Sequence, residues 1–486
     1  MKSARVGLRQ IYYVLFRWVR PNLDSFLRLQ KPKLWALAIL AGLAGSVVAI
    51  LFRHLIGAFQ WLWTGTMSEV FLGRLSEIPW WIVVAAPTAG GLLVGAILHF
   101  WGPGERAGGV ADVIEARASD SEQLSLRNAS IGTLVSAITL GSGGSAGREG
   151  PVVYYAAAVA KYLFRFFELP PSARRSMLAC GVAAGIAASF NSPIAGVLFA
   201  HEVILGHFSM TAFVPLVISS VIAAVVSRSW FGEAPAFILP DFQITSYLEI
   251  PAFALLGIAC ALVAIMFQIS LMGSDWFSRR LAIPTFIRPA LGGFAVGLIA
   301  LVFPQVLGVG YEATDAALSN QLELGLMIML IFAKTLASAI TFGSRMGGGV
   351  FSPSLYLGAM TGGAFGMVAA GLFPQFASSE GLYAIIGMGA VAAAVLGAPI
   401  STVVMIFELT GGFTFSIALL FTVSIATGLS QAAMGRSFFF WQLHSRGVML
   451  EEGPHTHLAQ QLHVRDFTVP FKPDEEIPVF DPARYP

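Results

Sequence analysis

The segment from Gly141 to Pro151 carries the residue types best suited to chemistry in this sequence. It reads Gly141-Ser-Gly-Gly-Ser-Ala-Gly-Arg-Glu-Gly-Pro151 and lies directly between two apolar runs. Proline suits the first turn of a helix, because its missing N–H would have no partner there. A helix start offers about half a positive charge and roughly four unpaired N–H donors. In a low-dielectric environment, this pattern predicts an anion site around Gly147 and Gly150.

Two further glycine-rich breaks have the same character. One is Gly347-Gly-Gly-Val-Phe-Ser-Pro353, which offers the backbone of Val350 and Phe351. The other is Arg106-Ala-Gly-Gly-Val-Ala-Asp112, which offers Gly108, Gly109 and Val110. Backbone partial charges hold a small anion weakly enough to release it quickly, as rapid transport requires. We therefore expect these helix starts to converge on one anion site.

Glu149 lies inside the first break and is itself an anion. A carboxylate at an anion site competes with the substrate, so its protonation or displacement would open the site. The alternative is that Glu149 only caps its helix, since acidic residues favour the first turn. Because the break belongs to a duplicated pattern, we favour the gate. Arg148 is interpreted as holding the loop through backbone carbonyls while adding positive potential to the anion site.

The composition indicates a membrane protein. Of the 486 residues, 56% are hydrophobic and 12% are charged, whereas soluble domains carry about 25% charged residues. The net charge of +2 gives no reason to expect a nucleic-acid partner. Cys180 and Cys260 lie in apolar runs and fit neither a disulfide framework nor a metal site, so no metal or cofactor is expected. No His-Glu-x-x-His or serine elbow occurs in a break, which disfavours an intramembrane enzyme.

Many of the apolar stretches are too short for simple membrane spans, which need about 20 residues. Interrupted helices at membrane depth are tolerated where they are buried in protein or line a cavity. The sequence therefore predicts an all-α polytopic membrane protein with short, tilted and broken helices. The apolar stretches are 34–57, 79–100, 129–140, 151–167, 176–190, 194–206, 210–229, 249–273, 285–303, 323–342, 353–373, 382–396, 399–410 and 414–434.

The segment around the first glycine-rich break has a counterpart in the second half of the chain. Residues 136–142 nearly repeat at 338–344, and at the same offset of 202 positions Gly147 matches Gly349. Further on, Glu202 matches Glu408, each at the end of an apolar helix, which predicts that each caps a neighbouring helix. We expect two membrane repeats, 34–245 and 249–434, with a site between them. In contrast, Gly358, Gly362 and Gly366 are spaced for close helix packing.

The two ends of the chain differ from its middle. Residues 1–33 combine eight Lys and Arg with aromatic residues, which predicts a basic amphipathic helix at the cytoplasmic surface. Residues 435–486 are assigned to a last helix portion and a polar cytoplasmic tail without a further domain. Lys334, within an apolar run, is expected to reach an interface with its long side chain. The expected location is the inner (plasma) membrane of a bacterium.

Gly147-Arg-Glu-Gly-Pro151 and Gly349-Val-Phe-Ser-Pro353 resemble the CLC family of chloride channels and proton/chloride antiporters. The similarity covers residues 34–447 and includes Phe190-Asn-Ser-Pro-Ile-Ala-Gly196 and Gly397-Ala-Pro-Ile-Ser401. The resemblance implies a CLC-type inverted-repeat fold and a homodimer with one anion pathway per subunit. It also implies that Glu149 is the gating glutamate and that amides near Val350 and Phe351 bind chloride.

Three positions depart from the family pattern. Gly108 stands where the family has a chloride-binding serine, and Phe439 where it has a tyrosine. Each hydrogen bond to a charged group contributes about 1.5–3 kcal/mol, so a weaker or wetter central site is expected. Val203 replaces the inner proton-accepting acid of the antiporters, which leaves Glu149 and the neighbouring Glu202 as candidates for a proton pathway. We place passive chloride conduction ahead of proton-coupled exchange, and a carrier of another anion third.

Overall fold

A computed structural model of the chain describes residues 13–28, 30–102, 106–118, 124–167, 169–232, 237, 244–281 and 283–448. The first 12 residues of the predicted amphipathic helix and the tail 449–486 lie outside the described residues. What is described of the basic N-terminal segment is helical. It comprises a π-helical turn, Leu15–Val19, and helix α1, Arg20–Arg28.

The described part of the first repeat consists of helices and the connections between them. Its helices are α2 Lys31–Thr64, α3 Leu72–Leu75, α4 Trp80–Phe100, α5 Val110–Ala118, α6 Leu126–Gly141, α7 Glu149–Arg165, α8 Pro171–Phe190, α9 Pro193–Phe199 with a π-helical extension Ala200–Leu205, and α10 Met210–Phe231. The bounds follow the apolar stretches closely, and the glycine-rich breaks separate them as the sequence predicts.

The second repeat follows the same order. Two 3₁₀ turns, Tyr247–Glu249 and Pro304–Val306, connect its elements. Its helices are α11 Ile250–Arg280, α12 Arg288–Val302, α13 Tyr311–Leu318, α14 Leu324–Gly343, α15 Phe351–Leu372, α16 Glu380–Leu396, α17 Pro399–Thr410 and α18 Ser416–Met434. A last helix, α19 Phe438–His444, follows the repeat.

Seven helical segments of the described part are long and apolar enough to cross a membrane, among them α2, α4 and α10 in the first repeat. Others, such as α9 and α17, are too short, and each begins directly after a break in the backbone. Asn191 and Gly397 adopt the left-handed conformation that ends α8 and α16. Pro193 and Pro399 then start the next helix in each repeat.

Glu202 and Glu408 form a reciprocal pair of helix caps. The Glu202 carboxylate accepts the N–H groups of Ile400 and Ser401 at 3.1 and 2.8 Å, at the start of α17. The Glu408 carboxylate accepts those of Ile194 and Ala195 at 2.9 and 2.8 Å, at the start of α9. Each glutamate thus caps the other repeat's helix, which confirms the role predicted from their equivalent positions.

Close helix contacts explain several glycines. A Cβ atom on Gly358 or Gly362 would lie 2.3 or 2.0 Å from a backbone oxygen of α16. The prediction that this glycine spacing packs helices is therefore confirmed. The two repeats also meet through α4 and α12, where a Cβ on Gly91 would lie 2.1 Å from the Pro289 oxygen and one on Gly293 1.9 Å from the Pro87 oxygen.

The expectation for Lys334 is wrong. Its side chain is completely buried, and Nζ donates to the carbonyl oxygens of Val306 and Gly308 at 3.0 and 2.9 Å. The ring of Tyr356 lies 5.1 Å from the same nitrogen. Lys334 does not reach an interface because the connection before α13 supplies carbonyl partners inside the protein.

Candidate functional site

Backbone hydrogen bonds join the starts of α7 and α15. Gly147 N–H donates to Gly349 O at 2.6 Å, and Gly349 N–H donates to Gly147 O at 2.7 Å. A second reciprocal pair lies beside it: Ser145 N–H donates to Thr341 Oγ1 and Gly347 N–H donates to Thr139 Oγ1, at 3.2 and 3.1 Å. The two predicted helix starts therefore meet at one place.

Glu149 lies at this junction and is 1% exposed. Its Oε1 atom accepts hydrogen bonds from Ser352 Oγ at 2.6 Å and from Tyr311 Oη at 3.3 Å. Arg148 Nε lies 3.9 Å from the same oxygen. Oε2 has no hydrogen-bond partner among the described residues. The carboxylate thus occupies the anion-attracting ends of two helices, as a tethered anion would.

A cavity of about 400 Å³ opens beside Glu149. We call it the central cavity. It brings together residues from all three predicted helix starts, which the sequence separates by more than two hundred positions. The predicted site residues that line it are Gly108, Gly109, Val110, Glu149, Gly150, Val350, Phe351 and Phe439.

The predicted anion-binding amides of Gly147 and Gly109 are already engaged. Gly147 N–H donates to Gly349 O, as described above. Gly109 N–H donates to the Asp112 carboxylate at 2.7 Å, because Asp112 caps the start of α5. Anion binding by Gly147 and Gly109 stays a prediction, and it would require these two N–H groups to exchange their present acceptors.

Arg148 is not among the residues that line the central cavity, and its place at the anion site stays a prediction. Its guanidinium pairs with Glu69 and donates through Nη2 to the Ser189 carbonyl at 3.1 Å. The ring of Tyr311 lies 4.8 Å from its Cζ atom. The carbonyl contact confirms that Arg148 holds the loop, the first of the two roles inferred from the sequence.

Arg148 faces a second cavity of about 480 Å³, which we call the Arg148 vestibule. Arg53, Glu69 and Tyr311 also line it. Burial alone would raise the pKa of the Glu69 carboxyl, but the guanidinium groups of Arg148 and Arg53 lower it below its usual value. Glu149 borders the central cavity while its partners Arg148 and Tyr311 border the vestibule, so Glu149 separates the two.

The central cavity is rich in aromatic side chains and poor in hydroxyls. The Phe351 ring lies 4.8 Å from that of Phe190 and 6.2 Å from that of Phe199. At Gly108, a Cβ atom would lie 2.3 Å from the ring of Tyr154, so the tyrosine ring fills the space of a side chain there. Neither Gly108 nor Phe439 supplies a hydroxyl to the cavity.

Two aspartates lie on the wall of the central cavity, each between two arginines. Asp112 accepts from Arg106 at 3.1 Å and from Arg446 at 2.9 Å. Asp275 pairs with Arg279 at 2.7 Å and with Arg345 at 3.3 Å. Four arginines against two aspartates leave this wall positively charged, which favours the entry of anions.

Position 203 holds a valine, which is buried, so no carboxylate stands there. The neighbouring Glu202 directs its carboxylate to α17, where Ser401 Oγ also donates to it at 2.8 Å. A place for Glu202 on a proton pathway stays a prediction.

Sequence reasoning did not find Tyr311, Ser352 or Glu69. Ser352 is inside the second break, but only the fold brings its hydroxyl to Glu149, 203 positions away. Tyr311 lies 162 positions from Glu149, and Glu69 lies 79 positions from Arg148. No local pattern marks these pairs.

Comparison with known proteins gives concordant results. The profile of the voltage gated chloride channel family matches residues 90–431. A ClcB-like protein of Ralstonia nicotianae is 33% identical over 400 residues, covering 81% of this chain and 92% of that protein. The H⁺/Cl⁻ exchange transporter ClcA of Yersinia pestis is 31% identical over 336 residues, covering 66% and 69%. The crystal structure of a slow cyanobacterial Cl⁻/H⁺ antiporter has the same fold, with a TM-score of 0.75, 23% identity, and coverage of 85% of this chain and 98% of that one.

Proposed function

This chain belongs to the voltage gated chloride channel family, and we propose that it carries chloride or a similar small anion across a membrane along a path closed by Glu149. The observation that carries the proposal is the position of the Glu149 carboxylate. It is buried between the two repeat-related helix starts and separates the central cavity from the Arg148 vestibule. An anion that crosses this point must take the place of the carboxylate.

Opening requires Glu149 to lose its hold on the helix ends. As an ionised group, the carboxylate accepts the Ser352 and Tyr311 hydroxyls and competes with any other anion. Protonation removes its charge, and it then no longer repels an anion at the helix starts. Acidification and high anion concentration should both open the path. The amides near Val350 and Phe351, which line the cavity, would then receive the anion.

Passive conduction is the mode we propose first. Proton-coupled exchange needs a second acceptor that exchanges protons between Glu149 and the solution. Val203 offers none, and the Glu202 carboxylate is held by the start of α17. Asp112 and Asp275 line the central cavity, but each carboxylate is already engaged by two arginines, so we assign neither the role of a second acceptor.

Proton-coupled exchange is the second candidate. A relative that covers two thirds of this chain is named an H⁺/Cl⁻ exchange transporter, and the cyanobacterial protein with the same fold is a Cl⁻/H⁺ antiporter. In that case Glu149 would carry the proton as well as close the path.

One measurement separates these modes. Proteoliposomes would be given combined chloride and pH gradients, and the reversal potential of the current would be recorded. Passive conduction predicts the equilibrium potential of chloride at every pH gradient. A reversal potential that moves with the pH gradient, or uphill chloride uptake driven by protons, would establish exchange instead. If no anion flux occurred at any pH, the transport proposal itself would fail.

The charge distribution supports a placement in the membrane. Arg53 in the second part of α2 lines the Arg148 vestibule, whereas Arg446 near the end of the described chain lines the central cavity. The basic start of α2 therefore points to the side of the central cavity, which the positive-inside rule assigns to the cytoplasm. We accordingly propose that both termini are cytoplasmic, in the inner membrane of a bacterium.

We also propose a homodimer with one anion pathway per subunit. One chain lines both the central cavity and the Arg148 vestibule, so a pathway needs residues of only one subunit.

A further inference from the structure

We propose that the Arg148 vestibule holds a second binding site for the transported anion, formed by Arg53 and Arg148, and that Glu69 occupies this site as a tethered competitor. The inference rests on the proposed function, because the anion concerned is the one that passes Glu149. Two carboxylates would then act in series, Glu69 at the entrance of the vestibule and Glu149 at its end.

The first argument is the geometry of the two guanidinium groups. Arg53 Nε lies 2.9 Å from Glu69 Oε1, and Arg148 Nη1 contacts the same oxygen atom. A side chain from α2 and one from the residue directly before α7 thus converge on one atom. A monatomic or small planar anion can accept both donors in the same way, and guanidinium groups suit such anions.

The second argument is an unsatisfied donor. Arg148 is nine-tenths buried, and its Nε–H has no hydrogen-bond partner among the described residues. A buried N–H without an acceptor is unfavourable, so the arrangement leaves capacity for a further ligand beside this guanidinium. An anion that passes the Glu69 position and approaches Glu149, whose Oε1 lies 3.9 Å from Nε, would accept this hydrogen bond.

The third argument is access. The side chains of Arg53 and Glu69 are 40% and 34% exposed, so the pair is reachable from solution. Glu69 follows α2 in the connection to α3, and Glu312 Oε2 holds this connection by accepting the N–H groups of Phe71 and Leu72, both at 2.9 Å. The Glu69 carboxylate can therefore turn to solvent while the backbone beside it stays anchored.

The charges in the vestibule agree with a site for one anion. Arg53 and Arg148 carry two positive charges and Glu69 one negative charge. Glu149 lies 3.9 Å from Arg148 Nε. The other ionisable groups near the pair are His54 of α2, which accepts from Trp230 at 2.9 Å, and Tyr311 and Glu312 of α13. Because Arg148 and Arg53 together lower the pKa of Glu69 against the effect of burial, Glu69 is ionised at neutral pH and competes there.

The test is the dependence of flux on anion concentration at one fixed pH, with the vestibule facing the solution to which the anion is added. Proteoliposomes contain both orientations of the protein. A Ser445→Cys background, treated with a membrane-impermeant thiol reagent, would block those molecules whose central cavity faces outward, because Ser445 lines that cavity. The natural cysteines, Cys180 and Cys260, are fully buried and do not interfere. Chloride flux would then be measured against external chloride concentration.

In this background, Glu69→Gln should lower the half-saturating chloride concentration about fivefold, the factor that corresponds to an exposed ion pair of up to about 1 kcal/mol. Glu77→Gln, which removes an exposed acid from the next connection, between α3 and α4, is the matched control and should leave this concentration unchanged. An unchanged or raised half-saturating concentration in Glu69→Gln would overturn the proposal, since Glu69 would then only support Arg148.

Two additional measurements keep these outcomes distinct. Elution and thermal unfolding in detergent would establish that Glu69→Gln is folded. If it is not, Glu69→Asp, which retains the charge but is one methylene shorter, should lower the half-saturating concentration by a smaller factor, and no decrease would count against the proposal. If the parent protein carried no chloride flux, the proposed function would be contradicted. If the parent carried flux but Glu69→Gln had the same chloride dependence as the parent, only the second site would be contradicted.

Discussion

Gly147 and Gly349 exchange both of their backbone N–H···O hydrogen bonds, at 2.6 and 2.7 Å. They occupy equivalent positions in the two repeats. Equivalent residues that pair with each other in an antiparallel bridge are related by a local two-fold axis. The helix starts at Glu149 and Phe351 therefore approach each other from opposite directions, which gives the repeats their inverted arrangement at the site.

Gly349→Ala should disrupt this junction. A Cβ atom at position 349 would lie 2.7 Å from the Gly150 nitrogen, which is a backbone atom and not the end of a flexible side chain. We expect a loss of at least about 1–3 kcal/mol in unfolding free energy, as for overpacked cores, together with a loss of flux. Thermal unfolding in detergent measures the first effect. Gly371→Ala, where nothing lies within 4 Å of the new atom, should behave like the parent, and equal stability of the two variants would contradict the packing argument.

Glu149→Gln should give flux that no longer responds to pH. The glutamine cannot ionise, so it neither competes as an anion nor gains from acidification. At neutral pH, we expect flux at least about tenfold above the parent, since hydrogen bonds to a charged group of about 1.5–3 kcal/mol no longer favour closure. Chloride efflux from liposomes between acidic and neutral pH provides the measurement. Glu323→Gln, an exposed acid at the start of α14, should retain the parent's response. Persistent activation by acid in Glu149→Gln would show that another group is the gate.

Ser352→Ala should weaken closure without removing the gate. Ser352 Oγ donates to Glu149 Oε1 at 2.6 Å, the shorter of the two hydroxyl contacts of that oxygen. Losing a hydrogen bond to a charged acceptor, worth about 1.5–3 kcal/mol, should raise basal flux at neutral pH roughly tenfold while the response to acid remains. The control is Ser354→Ala, because Ser354 Oγ donates to the Val350 carbonyl and does not contact Glu149. A similar change in both variants would assign the effect to α15 in general.

Phe439→Tyr should strengthen anion binding in the central cavity. Phe439 lines the cavity and contributes no hydroxyl. An added donor of about 1.5–3 kcal/mol would lower the dissociation constant for chloride at least about tenfold. Calorimetric titration of chloride in a Glu149→Gln background measures this directly, since the competing carboxylate is gone. Phe440→Tyr is a suitable control, because Phe440 lies beside Arg436 rather than in the cavity. An unaltered affinity in Phe439→Tyr would mean that the anion binds away from α19.

The sequence determined the architecture to a large extent. Apolar runs ended by Gly, Pro and Asn correspond to the helices, since these residues break or start helices through the backbone itself. The repeat placed Glu202 and Glu408 at equivalent positions, and the caps they form follow from that symmetry. Glu149 stood out because a carboxylate between glycines in an apolar sequence is rare.

Only the tertiary structure decided where side chains from distant segments meet. The Gly109 and Gly147 amides looked available in the sequence, but Asp112 and Gly349 accept their hydrogen bonds. Lys334 looked like a residue that reaches the surface, yet carbonyl groups of another connection hold it in the interior.

The residues around Glu149 show the same division. The local sequence determines backbone breaks, helix ends and the type of each side chain, because these depend on neighbours along the chain. The partners of a carboxylate or guanidinium depend on packing between helices, which brings Ser352 to Glu149 across 203 positions and Glu69 to Arg148 across 79. The sequence alone therefore predicted an anion path closed by Glu149. The fold determined which groups hold Glu149 and which cavity Arg148 lines.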